Sequence, residues 1–403
     1  MYKSCQDRYL TRSEIGFRLP ADVALAEVWE RVQGERLARA ETISLADDQT
    51  RNFWFVNTKT LQAKLHGIDA FGRDSLYSMV QPDIESELFA DSVIEEAWAS
   101  NVIEGAFTTQ KRAQELVRQN LPPRDKHELM MKNNYQAMLY ILEQRQKNLT
   151  VELILEIHRR ITQDTLDDPK YSGSFRDGDV FIRDKTGALI FQPMAAAHIE
   201  ACLRNLVEWA NHQAEKDFVH PVVKACIIHF YLVFVHPFSD GNGRTARALF
   251  YFYLLQHGYD FFKYFSISAI IANQREKYYK AIKEVEDHDN DLTYFLLYST
   301  DTVMRSINEI SSRITKKYMT DRIYKMTDFK GIILNKRQRK ILKMIIERDI
   351  KVVTTRSYEK IMKVSYGTAR SDLNDMAAKG LLQKQPHGKG FLYSAILEEF
   401  LRR

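Results

Sequence analysis

Apolar residues recur at helical spacing along much of the chain. Val93, Ile94 and Trp98 share one face of a segment that ends near residue 107. Similar stripes run through LPPRDKHELMMKNNYQAMLYILEQ (121–144) and TVELILEIHRRITQ (150–163). With 16 Gly and 9 Pro among 403 residues, few positions interrupt these patterns. The pattern predicts a mainly all-α protein whose helices are joined by short loops.

Two segments are apolar on most of their faces. They are PVVKACIIHFYLVFV (221–235) and RTARALFYFYLLQHG (244–258). Helices that are hydrophobic all round are buried, so we expect both at the centre of a domain. The most apolar run, residues 225–235, is interrupted by His229 and falls short of the roughly 20 residues that span a bilayer. We therefore expect no membrane helix.

The helical pattern gives way to a different one between Tyr171 and Pro193. Two short runs of β-forming residues stand there, separated by RDKTGA: Val180, Phe181 and Ile182, then Leu189, Ile190 and Phe191. Two such runs around a polar turn containing glycine predict a small β-hairpin.

The last 73 residues form a further pattern after an expected linker at 316–334. KRQRKILKMIIE, SYEKIMKVS and YGTARSDLNDMAAKGLL predict three helices, and QKQPHGKGFLYS predicts two strands that turn at HGKG. That order is typical of a winged helix-turn-helix.

Charge is concentrated in this tail. Residues 331–403 carry 16 Lys and Arg against 7 Asp and Glu, a balance of +9, which leaves −4 for the rest of a chain whose net charge is +5. Such a balance attracts DNA phosphates, but Asp372 and Asp375 lie on the expected recognition helix and count against DNA. A DNA partner and a protein partner both stay open.

Three widely spaced cysteines, Cys5, Cys202 and Cys226, suggest neither a disulfide framework nor a zinc site. They fit a reducing cytoplasm.

The segment HPFSDGNGRTAR (236–247) collects chemistry in one turn. Gly241 and Gly243 allow a close turn before a helix whose free N–H groups attract an anion. Arg244 and Arg247 lie three residues apart on one helix face, and two guanidinium groups suit a polyphosphate.

Three further side chains of the segment complete this chemistry. Asn242 offers another donor, and Asp240 beside phosphates suggests a Mg²⁺ ligand. His236 has an ordinary pKa of about 6.5, so it can accept a proton from a hydroxyl at neutral pH. These residues predict phosphoryl or nucleotidyl transfer onto a deprotonated acceptor.

The same segment resembles the motif of the Fic domain family, His-x-Phe-x-(Asp/Glu)-Gly-Asn-Gly-Arg-x-x-Arg. Every fixed position is filled, including Phe238. A weaker similarity covers about residues 115–300, where the hairpin is similar to the family's flap and REKYYKAI (275–282) to a segment lining its nucleotide-base pocket. The resemblance implies a Fic helical core with a β-hairpin flap.

The resemblance also implies an activity and roles for the residues. AMP passes from ATP to a Tyr, Ser or Thr hydroxyl of a target protein, with His236 as the base and Asp240 as the Mg²⁺ ligand. ATP is held by the motif and by the base pocket: Phe238, Gly241, Asn242, Gly243, Arg244, Arg247, Tyr278 and Tyr279. The flap residues 180–182 and 189–191 bind the target as an added strand.

A second motif, SNVIEG (100–105), is similar to the family's inhibitory helix, (Ser/Thr)-x-x-x-Glu-(Gly/Asn). Ser100 and Glu104 are four residues apart and share a helix face, and Gly105 follows. By this resemblance Glu104 pairs with Arg247 and misaligns the phosphates of ATP.

The resemblance sets the expected domains and leaves alternatives. We expect an N-terminal helical region with the inhibitory helix at 1–112, a Fic core at 113–315 and a winged helix at 331–403. Removal of AMP, transfer of another phosphate-containing group and a nucleotide-sensing transcriptional regulator remain alternatives, and a homodimer stays open.

Overall fold

The structure is a computed structural model that describes residues 8–72, 82–183, 189–212, 215–347, 350–388 and 390–396. The chain divides into two compact units, Met1–Ile307 and Asn308–Arg403. Cys202 and Cys226 are buried and free, and Cys5 lies outside the described residues. No helix of the described part is both long enough and apolar enough to cross a membrane.

The first unit is mostly helical, as the sequence predicts. Its helices are α1 (Arg12–Gly16), α2 (Leu25–Leu37), α3 (Lys59–Ala70), α4 (Pro82–Ile103), α5 (Gln110–Arg118), α6 (Lys126–Gln144), α7 (Val151–Thr162), α8 (Ile199–Asn211), α9 (Pro221–Val235), α10 (Asn242–Gln256), α11 (Ile267–Asn273) and α12 (Arg275–Glu286). A long helix, α13 (Thr293–Phe329), begins in this unit and ends in the second. Two antiparallel strand pairs accompany the helices: β1 (Ala40–Ala46) with β2 (Asn52–Val56), and β3 (Ile182–Arg183) with β4 (Leu189–Phe191).

The two apolar helices, α9 and α10, lie at the centre of this unit. Pro221 stands at the start of α9, where its missing N–H costs no hydrogen bond. Almost every side chain of α9 and α10 is buried, including polar ones of the motif. Helices α4, α6 and α7 pack against α10, and α8 packs against α9. The segment that joins α9 to α10 is therefore held from several sides.

Strands β1 and β2 were not predicted, because the first 112 residues were expected to be helical. Phe53 on β2 explains why the pair is stable here. Its ring meets those of Phe230, Tyr231 and Phe234 on α9 edge-on, with centroids 5.1–5.9 Å apart. Such aromatic contacts add to the burial of apolar area. The strand pair thus covers a part of α9.

The second unit contains the three helices and the strand pair predicted for the tail, together with a short strand, β5, that the sequence did not predict. These elements are α14 (Lys336–Glu347), β5 (Val353–Thr354), α15 (Thr355–Met362), α16 (Tyr366–Ala378), β6 (Leu382–His387) and β7 (Gly390–Ala395). The strands form an antiparallel sheet in the order β5-β7-β6. The helices and the sheet enclose one apolar core that includes Tyr358, Leu373, Met376 and Tyr393.

The segment expected as a linker differs from the prediction, since α13 continues through it to Phe329. Ile323 is buried in the core of the second unit, and Met319 and Met326 pack against it. These three residues recur at helical spacing, and polar neighbours had obscured the stripe. Residues 316–329 are therefore part of a packed helix.

Candidate active site

The turn between α9 and α10 is closed by its own side chains. His236 ends α9 in the left-handed conformation (φ 52°), and Gly241 has φ 86°. The Asn242 amide bridges the turn, because its Oδ1 accepts from the Phe238 N–H at 2.9 Å and its Nδ2 donates to the Phe238 carbonyl at 2.8 Å. Both polar atoms of Asn242 are thus engaged inside the turn. Donation to an anion at this place falls to the backbone N–H groups that begin α10.

His236 is oriented as a base. Its Nδ1 lies 3.2 Å from the Val233 carbonyl. A carbonyl only accepts, so Nδ1 carries the proton of the neutral ring and Nε2 keeps its lone pair. Burial, and the charge of Arg176 as a smaller cause, lower the pKa of His236 below its usual value, although the Val233 carbonyl opposes the shift. The ring is neutral at pH 7, with Nε2 ready to accept a proton.

Arg176 was not singled out from the sequence, yet it holds His236 in place. Its guanidinium donates to the carbonyls of His236 (2.8 Å), Gly178 (2.7 Å) and Met194. Its backbone N–H also donates to the Pro237 carbonyl. A single arginine in SFRDGD gives no signal by itself, since its partners include the carbonyls of His236 and Met194, which are distant in sequence.

His158 on α7 is a second residue that sequence reasoning missed. Its ring stacks on Phe238 with centroids 3.7 Å apart. Its Nδ1 accepts from the Gly173 N–H at 3.0 Å, so its Nε2 carries the proton and donates to the Asp240 carbonyl at 2.9 Å. Burial lowers the pKa of His158 to about 4. The neutral His158 ring therefore holds the turn between α9 and α10 in place, through its stacking on Phe238 and its hydrogen bond to the Asp240 carbonyl.

Gly241 is needed for the same close packing. A Cβ there would lie 2.9 Å from Cγ2 of Thr162 on α7, and its φ of 86° disfavours other residues.

Two buried arginines follow the turn, as the motif predicts. Arg244 and Arg247 are each 1% exposed. Arg244 donates from Nη2 to Asp240 Oδ2 at 2.9 Å, while its Nε and Nη1 have no hydrogen-bond partner among the described residues. Nη1 of Arg247 is likewise without a partner there. Buried cationic donors are costly when unpaired, so this geometry favours an anionic ligand at the start of α10.

Asp240 fits the predicted metal role in one respect. Its side chain is 53% exposed and lies beside the first turn of α10. Mg²⁺ binds through one or two carboxylates together with substrate phosphates, and a single accessible carboxylate suits that mode. Within the described residues, no three or more His, Cys, Asp or Glu side chains gather as a metal site.

The predicted contact between Glu104 and Arg247 is observed. Nη2 of Arg247 donates to Glu104 Oε1 at 2.8 Å and to the Ser100 carbonyl at 2.9 Å, and Nε donates to Ser100 Oγ at 2.8 Å. A Cβ on Gly243 would lie 2.2 Å from Glu104 Oε1. Gly243 therefore lets the Glu104 carboxylate sit directly over the first turn of α10.

A cavity of about 360 Å³ opens beside this contact. Its walls include Glu104, Phe191, His236, Gly243, Tyr278 and Tyr279. Tyr278 is 2% exposed and its hydroxyl lies 3.0 Å from His229 Nε2, whereas Tyr279 is 51% exposed. The motif, Glu104 of the segment 100–105 and the expected base-pocket residues thus meet at one cavity. A larger cavity of about 720 Å³, between β1 and α8, contains no motif residue.

The flap is shorter than predicted. Strand β3 covers Ile182–Arg183, so Val180 and Phe181 precede it, and Ile182 pairs with Phe191 of β4. Phe191 packs against Phe234 of α9 with centroids 5.4 Å apart. The turn at 184–188 and the side chains of Ile182, Leu189 and Ile190 lie outside the described residues.

The chain is similar to a family model, to curated proteins and to a solved structure. Residues 148–254 match the model of the Fic/DOC family. The chain is 26% identical over 226 residues to "Protein adenylyltransferase Fic" of Nematostella vectensis, covering 54% of this chain and 49% of that protein. It is 32% identical over 119 residues to "Protein adenylyltransferase fic-1" of Caenorhabditis elegans, covering 30% and 22%. The chain therefore spans about half of the first relative and about a fifth of the second.

A solved structure has a similar fold. It is a Fic family protein from Desulfovibrio desulfuricans, with a TM-score of 0.54 and 17% identity, covering 85% of this chain and 97% of that one. The matched region, residues 148–254, contains α7, the flap and the complete turn between α9 and α10. The chain thus carries, over residues 148–254, a region that matches the Fic/DOC family.

Proposed function

We propose that the chain is a protein adenylyltransferase, which moves AMP from ATP to a Tyr, Ser or Thr hydroxyl of a target protein. The observation that carries this proposal is the start of α10, where two buried arginines with unpaired donors lie beside a neutral histidine. The names of the relatives in Nematostella vectensis and Caenorhabditis elegans agree with it.

In the proposed reaction, the target hydroxyl oxygen attacks the α-phosphorus of ATP. The new bond joins that oxygen to the α-phosphorus, the bond to the bridging oxygen breaks, and pyrophosphate leaves. The hydroxyl proton passes to Nε2 of His236, which is neutral and oriented to accept it. Arg244, Arg247 and the N–H groups of α10 hold the phosphates. Asp240 would hold Mg²⁺, which when bound would neutralise charge on the phosphates.

The target segment, in this proposal, adds to the flap as a further strand. Main-chain hydrogen bonds supply most of such binding, so the target sequence can vary. Tyr279 and Tyr278, on the wall of the cavity, would contact the nucleotide base.

We further propose that Glu104 inhibits the reaction. Its carboxylate takes a donor of Arg247 and lies over the first turn of α10, where phosphates would bind. An anion in that position repels a phosphate and displaces it from in-line geometry.

The test is incubation of the purified chain with ATP that is labelled on either the α- or the γ-phosphate. We expect Glu104→Gly to raise incorporation of the α-label into protein by about 5- to 150-fold. This is the range that corresponds to a coupling free energy of about 1–3 kcal/mol between two sites. His236→Ala should abolish incorporation, because no base removes the proton. Glu143→Gly removes an exposed carboxylate near the end of another helix and should change nothing. Incorporation of the γ-label would contradict the proposal, and equal activity of parent and Glu104→Gly would contradict the inhibitory role.

Removal of AMP is a second candidate, favoured by one observation. Glu104 and His236 line the same cavity, so a water between them would have both a carboxylate and an imidazole beside it. Incubation of an AMP-modified target with the parent chain would release AMP in this case, and Glu104→Gly would not release it.

A further inference from the structure

The objection to DNA binding by the second unit disappears in the structure. Asp372, on α16, is only 6% exposed and faces α14. It accepts from Arg337 at 2.7 and 3.1 Å, from Asn335 at 2.8 Å and from Tyr358 at 2.9 Å. Burial alone would raise the pKa of Asp372, but these hydrogen bonds outweigh it and hold the pKa below its usual range. This charge is neutralised inside the unit.

The carboxylate of Asp375 also faces α14. Its Oδ2 accepts from Gln338 at 2.7 Å and from Lys379 at 2.5 Å. Residues 372, 375 and 379 lie on one side of a helix, so both carboxylates point toward α14 and away from the opposite face. Apart from Glu359 on α15, they are the only acidic residues between 350 and 396.

The opposite face of α16 is exposed and carries positive charge. Tyr366 is 46% exposed although it is a large aromatic residue, and Arg370, one turn later, is also exposed. Lys360 in the last turn of α15 and Lys363 directly after that helix are both exposed, and they precede the start of α16 by a few residues. No hydrogen bond or ion pair joins these three cations to any residue in the part that the structure describes. Their charge is available to a partner.

The hairpin of β6 and β7 stands next to this helix. Lys384 on β6 donates to Asn374 Oδ1 at 2.8 Å, and the Tyr393 hydroxyl on β7 donates to the same oxygen at 2.9 Å. Asn374 lies on α16, so both strands are fixed to the helix. His387 pairs with Gly390 at the end of the hairpin.

We propose that this unit binds duplex DNA, with the first turns of α16 in the major groove. The 13 residues of α16 give a rod of about 20 Å, and the groove is about 12 Å wide. The first residues of a recognition helix meet base edges, which places Tyr366 and Arg370 there. Arginine is the side chain that most often reads guanine, and Lys360, Lys363 and Lys384 lie where phosphates would pass. The proposal does not depend on the proposed enzymatic activity.

Fluorescence anisotropy with the full chain and a labelled duplex of about 25 base pairs, more than two helical turns, tests this proposal. We expect binding at about 50 mM salt that weakens steeply toward 200 mM. Lys360→Ala and Lys363→Ala should each reduce the salt slope by about one. Arg370→Ala should weaken binding about 5- to 100-fold at a preferred sequence, as expected for loss of a bidentate base contact.

The matched control is Lys340→Ala, which removes an exposed charge from α14, outside the proposed face. Binding that survives in Lys340→Ala but weakens in Lys360→Ala, Lys363→Ala and Arg370→Ala, with melting temperatures unchanged, supports the proposal. Two results overturn it: no binding at about 50 mM salt, or equal weakening by the control. The face would then be left to a protein partner.

Discussion

Glu286 shows how one carboxyl group in the candidate nucleotide cavity acquires a changed acidity. It lines the cavity that also contains His236 and Glu104. Burial raises the pKa of Glu286 to about 7, with Asp287 adding to the rise and Lys283 opposing it. The other ionisable groups of α12 on the cavity wall are Tyr278, Tyr279, Lys280 and Lys283. This carboxyl therefore changes its charge within the physiological range of pH.

This change predicts a pH dependence of ATP binding under the proposed function. As the pH rises through 7, Glu286 ionises and repels the anionic nucleotide. Two unit charges about 10 Å apart at an effective dielectric of about 40 repel each other by ~0.8 kcal/mol. Complete ionisation of Glu286 would therefore raise KM for ATP about fourfold, and about threefold of this rise should fall between pH 6 and 8. We expect Glu286→Gln to lose this rise when both proteins carry Glu104→Gly. Glu276→Gln, at an exposed position of the same helix, is the control and should keep it. An unchanged profile in Glu286→Gln would refute this role.

At the scale of elements, the end of α4 determines where Glu104 lies. The Ala106 N–H donates to the Asn101 carbonyl at 3.0 Å, and the Gly105 N–H donates to the Val102 carbonyl at 3.1 Å. These two bonds form a Schellman cap with Gly105 at the left-handed position, φ 87°. Glu104 is thus the last residue before the chain turns, and the cap holds its backbone over α10.

Gly105→Ala tests that cap. A Cβ at this position would meet no atom within 4 Å, so the cost comes from the left-handed backbone alone and should be about 1 kcal/mol. We expect a lower free energy of unfolding and a higher rate of AMP transfer, because Glu104 is held less firmly. Gly34→Ala is a control whose expected effect on stability has the opposite sign. Gly34 lies inside α2, and a Cβ there would also meet no atom within 4 Å. It should stabilise by about 0.5–1 kcal/mol and leave activity unchanged. A Gly105→Ala protein with the parent's activity would show that the cap does not position Glu104.

At the scale of the whole molecule, the buried centre around α9 and α10 keeps the histidine of α9 neutral. His229 on α9 is 3% exposed, and its Nε2 meets the Tyr278 hydroxyl. Burial, helped by the nearby charge of Arg247, lowers the pKa of His229 to about 3. The unfolded chain would take up a proton on this residue at about pH 6.5, well before the folded chain does. The stability that His229 contributes is complete above pH 6.5 and is lost as the pH falls toward 3.

Acid sensitivity should therefore depend on His229. Between pH 7 and 5, the parent should lose about 2 kcal/mol of unfolding free energy relative to His229→Gln. Urea denaturation followed by circular dichroism at both pH values measures this difference. His66→Gln changes an exposed histidine, and its free energy of unfolding should fall between the two pH values by as much as that of the parent. If the difference between His229→Gln and the parent is the same at both pH values, His229 is not held neutral by the core.

Much of the site was predictable because its residues are close together in the sequence. The segment 236–247 contains the proposed base, the glycines and both arginines, and a four-residue spacing places Ser100 and Glu104 on one helix face. The apolar runs on either side of the turn also predicted two buried helices. Local spacing and hydrophobicity are properties of the chain itself.

The remaining features depended on contacts between distant segments. Arg176 and His158 hold the turn through backbone atoms, which leave no trace in residue identity. The pair β1–β2 is stable because Phe53 meets rings of α9, far along the chain. In the sequence Asp372 counted against DNA binding, but the fold pairs its carboxylate with Arg337, Asn335 and Tyr358. The sequence by itself determined which chemical groups the protein has and, through the spacing of apolar residues, where most of its helices form. Only the tertiary structure decided which of those groups are buried, neutralised or left free, because that depends on the partners that folding brings within hydrogen-bond distance.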